Sequence, residues 1–281
     1  LGSEAIAAAG ITTQPKFILM AFVMAINTGL TVIISRRKGQ NRRDEANKIL
    51  MSALIISVVM SLIMTLIGLF FAEPILRLAG ATDDYIDIAI VYFRIISVGN
   101  FFTSVANTMT SAQRGSGNTK ISMFTNLTAN IVNVIFNYLL IYGVGIFPEL
   151  GVMGAGIATL IGNVVAFIIA IYSITRKGNF VSLQFKNNIK IDFERWAQIF
   201  KVSSSPFIEQ IFIRGGFFLF AIIIANLGTD NFATHQVVMN ILSLSFSVGE
   251  GFSIAASTLV GQNLGKKRPD LAMLYSKVLQ R

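Results

Sequence analysis

A chain of 281 residues with 53% hydrophobic and 13% charged side chains falls well below the roughly 25% charged content of soluble domains, and its long runs are apolar all round. This excludes an ordinary soluble globule. The net charge of +9 would suit nucleic acid, but its distribution, described next, supplies a different origin for it, and the absence of cysteine excludes disulfides and thiolate metal sites.

Seven apolar runs reach the roughly 20 residues that a spanning helix requires. They lie at 5–34, 49–71, 85–111, 121–142, 152–175, 196–227 and 232–260, and an eighth begins near Leu271. Connections at 36–48, 114–120, 176–201 and 266–268 hold six, two, six and three Lys/Arg, while those at 72–84, 143–151 and 228–231 hold Arg77 alone. Alternation of this kind is the positive-inside pattern of a multispan membrane protein, so the first run passes from outside to inside. Nucleic acid is not needed to explain the charge.

Residues 2–48 recur at 228–274, displaced by 226 without a gap. Gly2-Ser3-Glu4 faces Gly228-Thr229-Asp230, Gly39 faces Gly265, and Arg42-Arg43-Asp44-Glu45-Ala46 faces Arg268-Pro269-Asp270-Leu271-Ala272. The period is too long for a solenoid and fits the halves of a transporter, whose parallel repeats flank a central site. An even number of crossings separates the two copies, so both run the same way. A complete protein built on this period has about 12 spans, and the chain is expected to open at the second and stop within the ninth. The expected organisation is an N-terminal lobe at 1–178 without its first helix, a basic cytoplasmic linker at 179–195, and the start of a C-terminal lobe at 196–281.

Polar residues inside the runs carry the chemistry. Lys16, beside Pro15 and Gln14, and Arg94 either select among charged substrates or snorkel and pair with acids. Asp83-Asp84-Tyr85-Ile86-Asp87 resembles the DDxxD magnesium motif of membrane prenyltransferases, yet no second such motif accompanies it, and acids at a helix start also serve the macrodipole. Gly115-Ser116-Gly117-Asn118-Thr119-Lys120 lacks phosphate-loop spacing and reads as a tight turn. Asn126, Asn130, Asn133 and Asn137 follow at steps of 4, 3 and 4, which puts them on one helix face. Two roles fit that stripe, hydrogen bonding between helices and the lining of a cavity.

Glu209 lies 13 residues into the run that starts at Trp196, about 20 Å deep at 1.5 Å per residue. Intramembrane carboxylates are costly and mark ion or proton pathways, although a structural pair with an unseen partner also fits. Pro206 removes a backbone donor nearby and can expose carbonyl oxygens; Arg214 points about 140° away, at 100° per residue. Glu250, between Gly249 and Gly251, either lines the same cavity or sits in a hydrated break, and Gln210 and Asn240 are further expected lining residues. His235, four residues into its run, suits an interfacial position more than a proton relay.

Several of these stretches resemble one family, the multidrug and toxic compound extrusion (MATE) transporters. The carrying motifs are Gly2-Ser3-Glu4-Ala5-Ile6-Ala7-Ala8-Ala9-Gly10, Gln113-Arg114-Gly115-Ser116-Gly117-Asn118-Thr119-Lys120, Pro148 to Thr159, and Gly251-Phe252-Ser253-Ile254-Ala255-Ala256-Ser257-Thr258-Leu259-Val260-Gly261-Gln262-Asn263-Leu264-Gly265. The resemblance implies an all-α, polytopic helical bundle of two pseudo-symmetric six-helix lobes in the cytoplasmic membrane, opening alternately to its two sides. It further implies export of cationic or amphipathic drugs in exchange for Na+ or H+, no enzyme activity, no cofactor beyond the coupling ion, and a monomer.

Residue by residue, Glu209 matches the coupling acid of the second lobe, and Thr159 matches a residue near a proton-linked site of the first. In one branch of the family an acid stands at the position of Asn137. An amide does not titrate, which argues against a proton switch in this first lobe. The alternatives are a lipid-linked oligosaccharide flippase of the same superfamily, which would need a more cationic cavity than Lys16, Arg94 and Arg214 provide, and a magnesium-dependent membrane prenyltransferase.

Overall fold

The computed structural model describes residues 3–176, 178–183 and 192–279, which are helical with no strand among them. The helices are α1 (Ser3–Ile11), α2 (Thr13–Gly39), α3 (Arg43–Phe70), α4 (Ala72–Leu78), α5 (Ile86–Gly115), α6 (Thr119–Tyr142), α7 (Gly151–Thr175), α8 (Phe193–Ala225), α9 (Thr229–Gly265) and α10 (Pro269–Leu279). Seven helical segments, with α1 and α2 counted as one, are long and apolar enough to cross a membrane. These are the seven runs of the sequence.

Their ends differ from the apolar runs for local reasons. The first run is broken at Thr12, because Pro15 has no N–H to offer the Ile11 carbonyl, and the Thr12 hydroxyl turns back to Ala9 O at 2.7 Å. Helix α3 begins at Arg43, well before the apolar residues, since Asp44 and Glu45 occupy its first turn and favour the positive end of its dipole. Glu45 also pairs ionically with Arg37 at 3.0 Å and accepts from Arg42 at 3.2 Å, so much of the basic 36–48 segment is helix end rather than loop. Helix α8 starts at Phe193 because Asp192 caps it, accepting from the backbone N–H of Glu194 and Arg195 at 3.1 and 3.3 Å.

The duplication is reproduced in the backbone. Helices α2 and α9 end at Gly39 and Gly265, and α3 and α10 begin at Arg43 and Pro269. The turns between them hold Asn41 at φ 57° and Lys267 at φ 59°. Each pair is separated by the same 226 residues. A left-handed residue other than glycine is uncommon, so its recurrence at equivalent positions is a specific mark of the repeat.

Side-chain packing forms two cores. One, toward the cytoplasmic ends, joins Leu30, Ile34, Leu50, Ala53, Met109 and Ile199 among others; the second, toward the outer ends, joins Ala8, Leu76, Tyr85, Phe93, Ala221 and Phe232. Between α2, α3 and α5 the packing turns polar. The Thr108 hydroxyl lies 2.8 Å from Asn27 Oδ1, 2.9 Å from Ser57 Oγ and 3.0 Å from Ser104 O, and Thr65 donates to Ser97 O at 3.1 Å. Of the expected linker, residues 184–191 lie outside the described residues. Its start is tied to the α2–α3 turn: Arg43 donates to Asn179 O at 2.7 Å and Phe180 O at 3.1 Å, and Asn47 Oδ1 accepts from the Ser182 N–H at 2.9 Å.

Candidate functional site

The asparagine stripe of α6 divides into two halves. In the outer half, Asn137 Nδ2 donates to Asn133 Oδ1 at 2.9 Å, Asn133 Nδ2 to Thr159 Oγ1 at 3.2 Å, and Thr159 Oγ1 to Ala155 O at 2.9 Å. This chain ties α6 to α7 and leaves the buried Asn137 Oδ1 without a partner among the described residues. In the inner half, Asn126 and Asn130 line a cavity of about 200 Å³ between α5, α6 and α7, together with Thr103, Asn107, Thr110 and Asn163. The Thr125 hydroxyl on the same wall is buried and unpartnered among the described residues. The stripe thus touches α7 through Asn133 and lines the cavity through Asn126 and Asn130.

Asn107 and Asn163 escape a reading of α6 alone. Their signal is spacing on the neighbouring helices. Thr103, Asn107 and Thr110 recur at steps of 4 and 3 on α5, and Asn163 stands 4 residues after Thr159 on α7, so each set shares a face.

The second polar region is carried by α8 and α9. Glu209 is exposed on α8, one turn beyond Pro206 inside the helix, and makes no ion pair among the described residues. Gln210 accepts from Arg214 Nε at 3.3 Å, and Arg214 also stacks on Phe17 of α2. Glu250 and Asn240 lie on the stretch 240–253 of α9, every residue of which is exposed. Gly249 and Gly251 flank Glu250 with open space where a Cβ would stand. Glu250 is within electrostatic reach of Arg114 and Arg214. His235 packs against Phe220 and Phe232, with ring centroids 5.1 and 6.4 Å away.

Two contacts close the seam between the repeats at either end of this open stretch. At the outer end Gly10 lies against Gln236; at the cytoplasmic end Ser35 lies against Gly261, and a Cβ on Gly39 would stand 3.0 Å from the Cα of Gly265. Positions 10 and 236, 35 and 261, and 39 and 265 each differ by 226. Residues meet their own counterparts only beside a two-fold axis, so α1, α2 and α9 straddle the pseudo-symmetry axis. Gln262 reinforces the cytoplasmic contact by donating to Gly115 O at 3.2 Å, which gives the Gly115–Lys120 turn a structural partner.

A sequence model described as MatE matches residues 1–139 and 206–279. The chain belongs to the MatE family. MATE proteins are transporters and not enzymes, and this chain is a multi-pass protein of the cell membrane. The chain is 26% identical over 273 residues to "Probable multidrug resistance protein NorM" of Thermotoga maritima, covering 96% of this chain and 58% of that protein. It is 29% identical over 256 residues to the protein of the same description from Geobacillus kaustophilus, covering 88% and 54%. Among solved structures, a complex of the MATE multidrug transporter DinF-BH superposes with a TM-score of 0.88 at 26% identity, over 99% of this chain and 62% of that one. The chain thus spans a little over half the length of these relatives.

In this fold Asp83 of the 83–87 run has a local use, and Asp87 stands in the first turn of α5. Asp83 accepts from Arg77 at 3.0 Å and Glu73 from the same guanidinium at 2.9 Å, which raises the Arg77 pKa through those hydrogen bonds. No group of three or more His, Cys, Asp or Glu able to hold a metal occurs among the described residues. Lys16 lies 5.0 Å from the Phe17 ring without an ion pair among the described residues.

Proposed function

We propose that the whole protein exports amphipathic and cationic drugs across the cytoplasmic membrane in exchange for Na+ or H+, with Glu209 as the coupling carboxylate. The observation that carries this reading is a carboxylate deep in the spanning helix α8, beside Pro206 and without an ion pair among the described residues. Burial in a closed state favours the protonated acid, whereas a bound cation favours the carboxylate. One group can therefore exchange a small cation for a cationic drug. Asn126, Asn130, Asn133, Asn137 and Thr159 serve as neutral hydrogen-bonding contacts of the first-lobe cavity, Asn240 and Glu250 face the opening between the two repeat contacts, and Gln210 orients Arg214. Multidrug resistance and multidrug transport, as the relatives' descriptions state them, support the substrate class.

The test uses the full-length protein in inverted vesicles under imposed Na+ and pH gradients. Glu209→Gln keeps the shape and removes the titration, so gradient-driven ethidium transport should fall to background at matched expression. Wild-type rates with wild-type ion dependence in that variant would transfer the coupling role to Glu250 or another acid.

A further inference from the structure

Two cations meet inside the membrane-spanning region with no acid between them among the described residues. Arg214 Cζ of α8 lies 4.3 Å from the centroid of the Phe17 ring of α2, and Lys16 Nζ lies 5.0 Å from the same ring. Both positive groups lie over the one ring, so their charges repel. Gln210 accepts from Arg214 Nε at 3.3 Å, which orients the guanidinium without neutralising it. Neither cation makes an ion pair within 4.0 Å among the described residues. Glu250 acts on Arg214 only through space, and its field is shared with Arg114.

An intramembrane cation is costly and requires a counter-charge. Like charges cannot serve one another in this way. Snorkelling does not relieve Arg214, which is 21 residues from the start of α8 and 11 from its end, about 30 Å and 16 Å along the axis. The planar guanidinium suits an oxyanion bidentately and the ammonium adds a second positive point. Phe17, touched by both, offers an apolar aromatic surface beside the charge. We propose that Lys16, Arg214 and Phe17 form an anion-binding station at the α2–α8 contact that holds the carboxylate of an amphipathic aromatic substrate. This inference rests on the drug-export reading for its choice of a small amphipathic molecule.

Rhodamine 110 and rhodamine 123 are a matched pair of probes, since the second is the methyl ester of the first. Binding of each to the purified full-length protein is followed by fluorescence anisotropy. Wild-type protein should bind rhodamine 110 at least as tightly as rhodamine 123. Arg214→Gln and Lys16→Met should each weaken rhodamine 110 by about 10- to 100-fold, the worth of a charge-assisted hydrogen bond, while changing rhodamine 123 by less than about 3-fold, since the ester carries no charge for that bond. Arg214→Lys should retain part of the affinity. A wild-type preference for the ester of about 10-fold or more, a 1.4 kcal/mol bias against the carboxylate, would overturn the station without any variant having to fold. Equal losses of both dyes in the variants would do the same. If neither dye binds, the drug-export reading itself fails; if only the ester binds, the station alone fails. Repeating the titration in nanodiscs of phosphatidylcholine with and without phosphatidylglycerol separates two sources of the anion. Unchanged rhodamine 110 affinity assigns the station to substrate, and competition by the anionic lipid that disappears in Lys16→Met reassigns it to a headgroup and overturns the substrate assignment.

Discussion

Single polar side chains decide most of what is unusual in this bundle. Thr108 is fully buried and faces three oxygens on α2, α3 and its own helix. Thr108→Val removes that hydroxyl while keeping its shape, and should lower the thermal unfolding temperature of the full-length protein, consistent with a loss of about 1 to 2 kcal/mol for an interhelical hydrogen bond; an unchanged unfolding temperature would show the contact to be dispensable. Asn137 has a different part. Its amide only donates and accepts hydrogen bonds, so Asn137→Ala should shift the half-saturating ethidium concentration by about 5-fold, near 1 kcal/mol, and leave the Na+ and pH dependence of transport as in wild type. A change in ion dependence on that substitution would place Asn137 in the coupling step after all.

Helices meet where side chains are smallest. The α2–α9 contact at the cytoplasmic end is made by Ser35, Gly39, Gly261 and Gly265. The double substitution Ser35→Cys with Gly261→Cys brings two Cβ positions to 3.0 Å, close to the roughly 3.5–4.5 Å of a disulfide. Oxidation should remove both thiols from maleimide labelling and arrest ethidium transport, and a reductant should restore both. Persistent labelling after oxidation would mean that these helices do not touch. Much of this arrangement was legible in the chain. Gly39 and Gly265, and the turns that follow them, stood in register because a repeat preserves backbone conformation. The break at Thr12 was hidden, since Pro15 interrupts hydrogen bonding without interrupting the apolar run. The early start of α3 was hidden for the opposite reason: charged residues can occupy a first helical turn as well as a loop. Asn107 and Asn163 stand in the sequence as isolated polar residues, and the meeting of Lys16 with Arg214 depends on the packing of α2 on α8, which no local pattern encodes.

At the scale of the molecule, parallel repeats and alternate basic connections fix one orientation. Cysteines introduced at Lys48, Lys120 and Lys266 should react with an impermeant maleimide only after permeabilisation, whereas those at Asp83, Glu149 and Asp230 should react in intact cells; the native chain has no cysteine to interfere. The reverse pattern would invert the topology. In the proposed export cycle Glu209 takes either a small cation or the positive charge of a drug. Competition of this kind is read most directly by titrating ethidium onto the purified full-length protein across a series of pH and Na+ concentrations. Wild-type affinity should fall as H+ or Na+ rises, by up to about 10-fold for each tenfold rise in the competing ion, as one-for-one exchange requires, and Glu209→Gln should bind with an affinity independent of both. An equal slope in wild type and variant would contradict the assignment of coupling to Glu209.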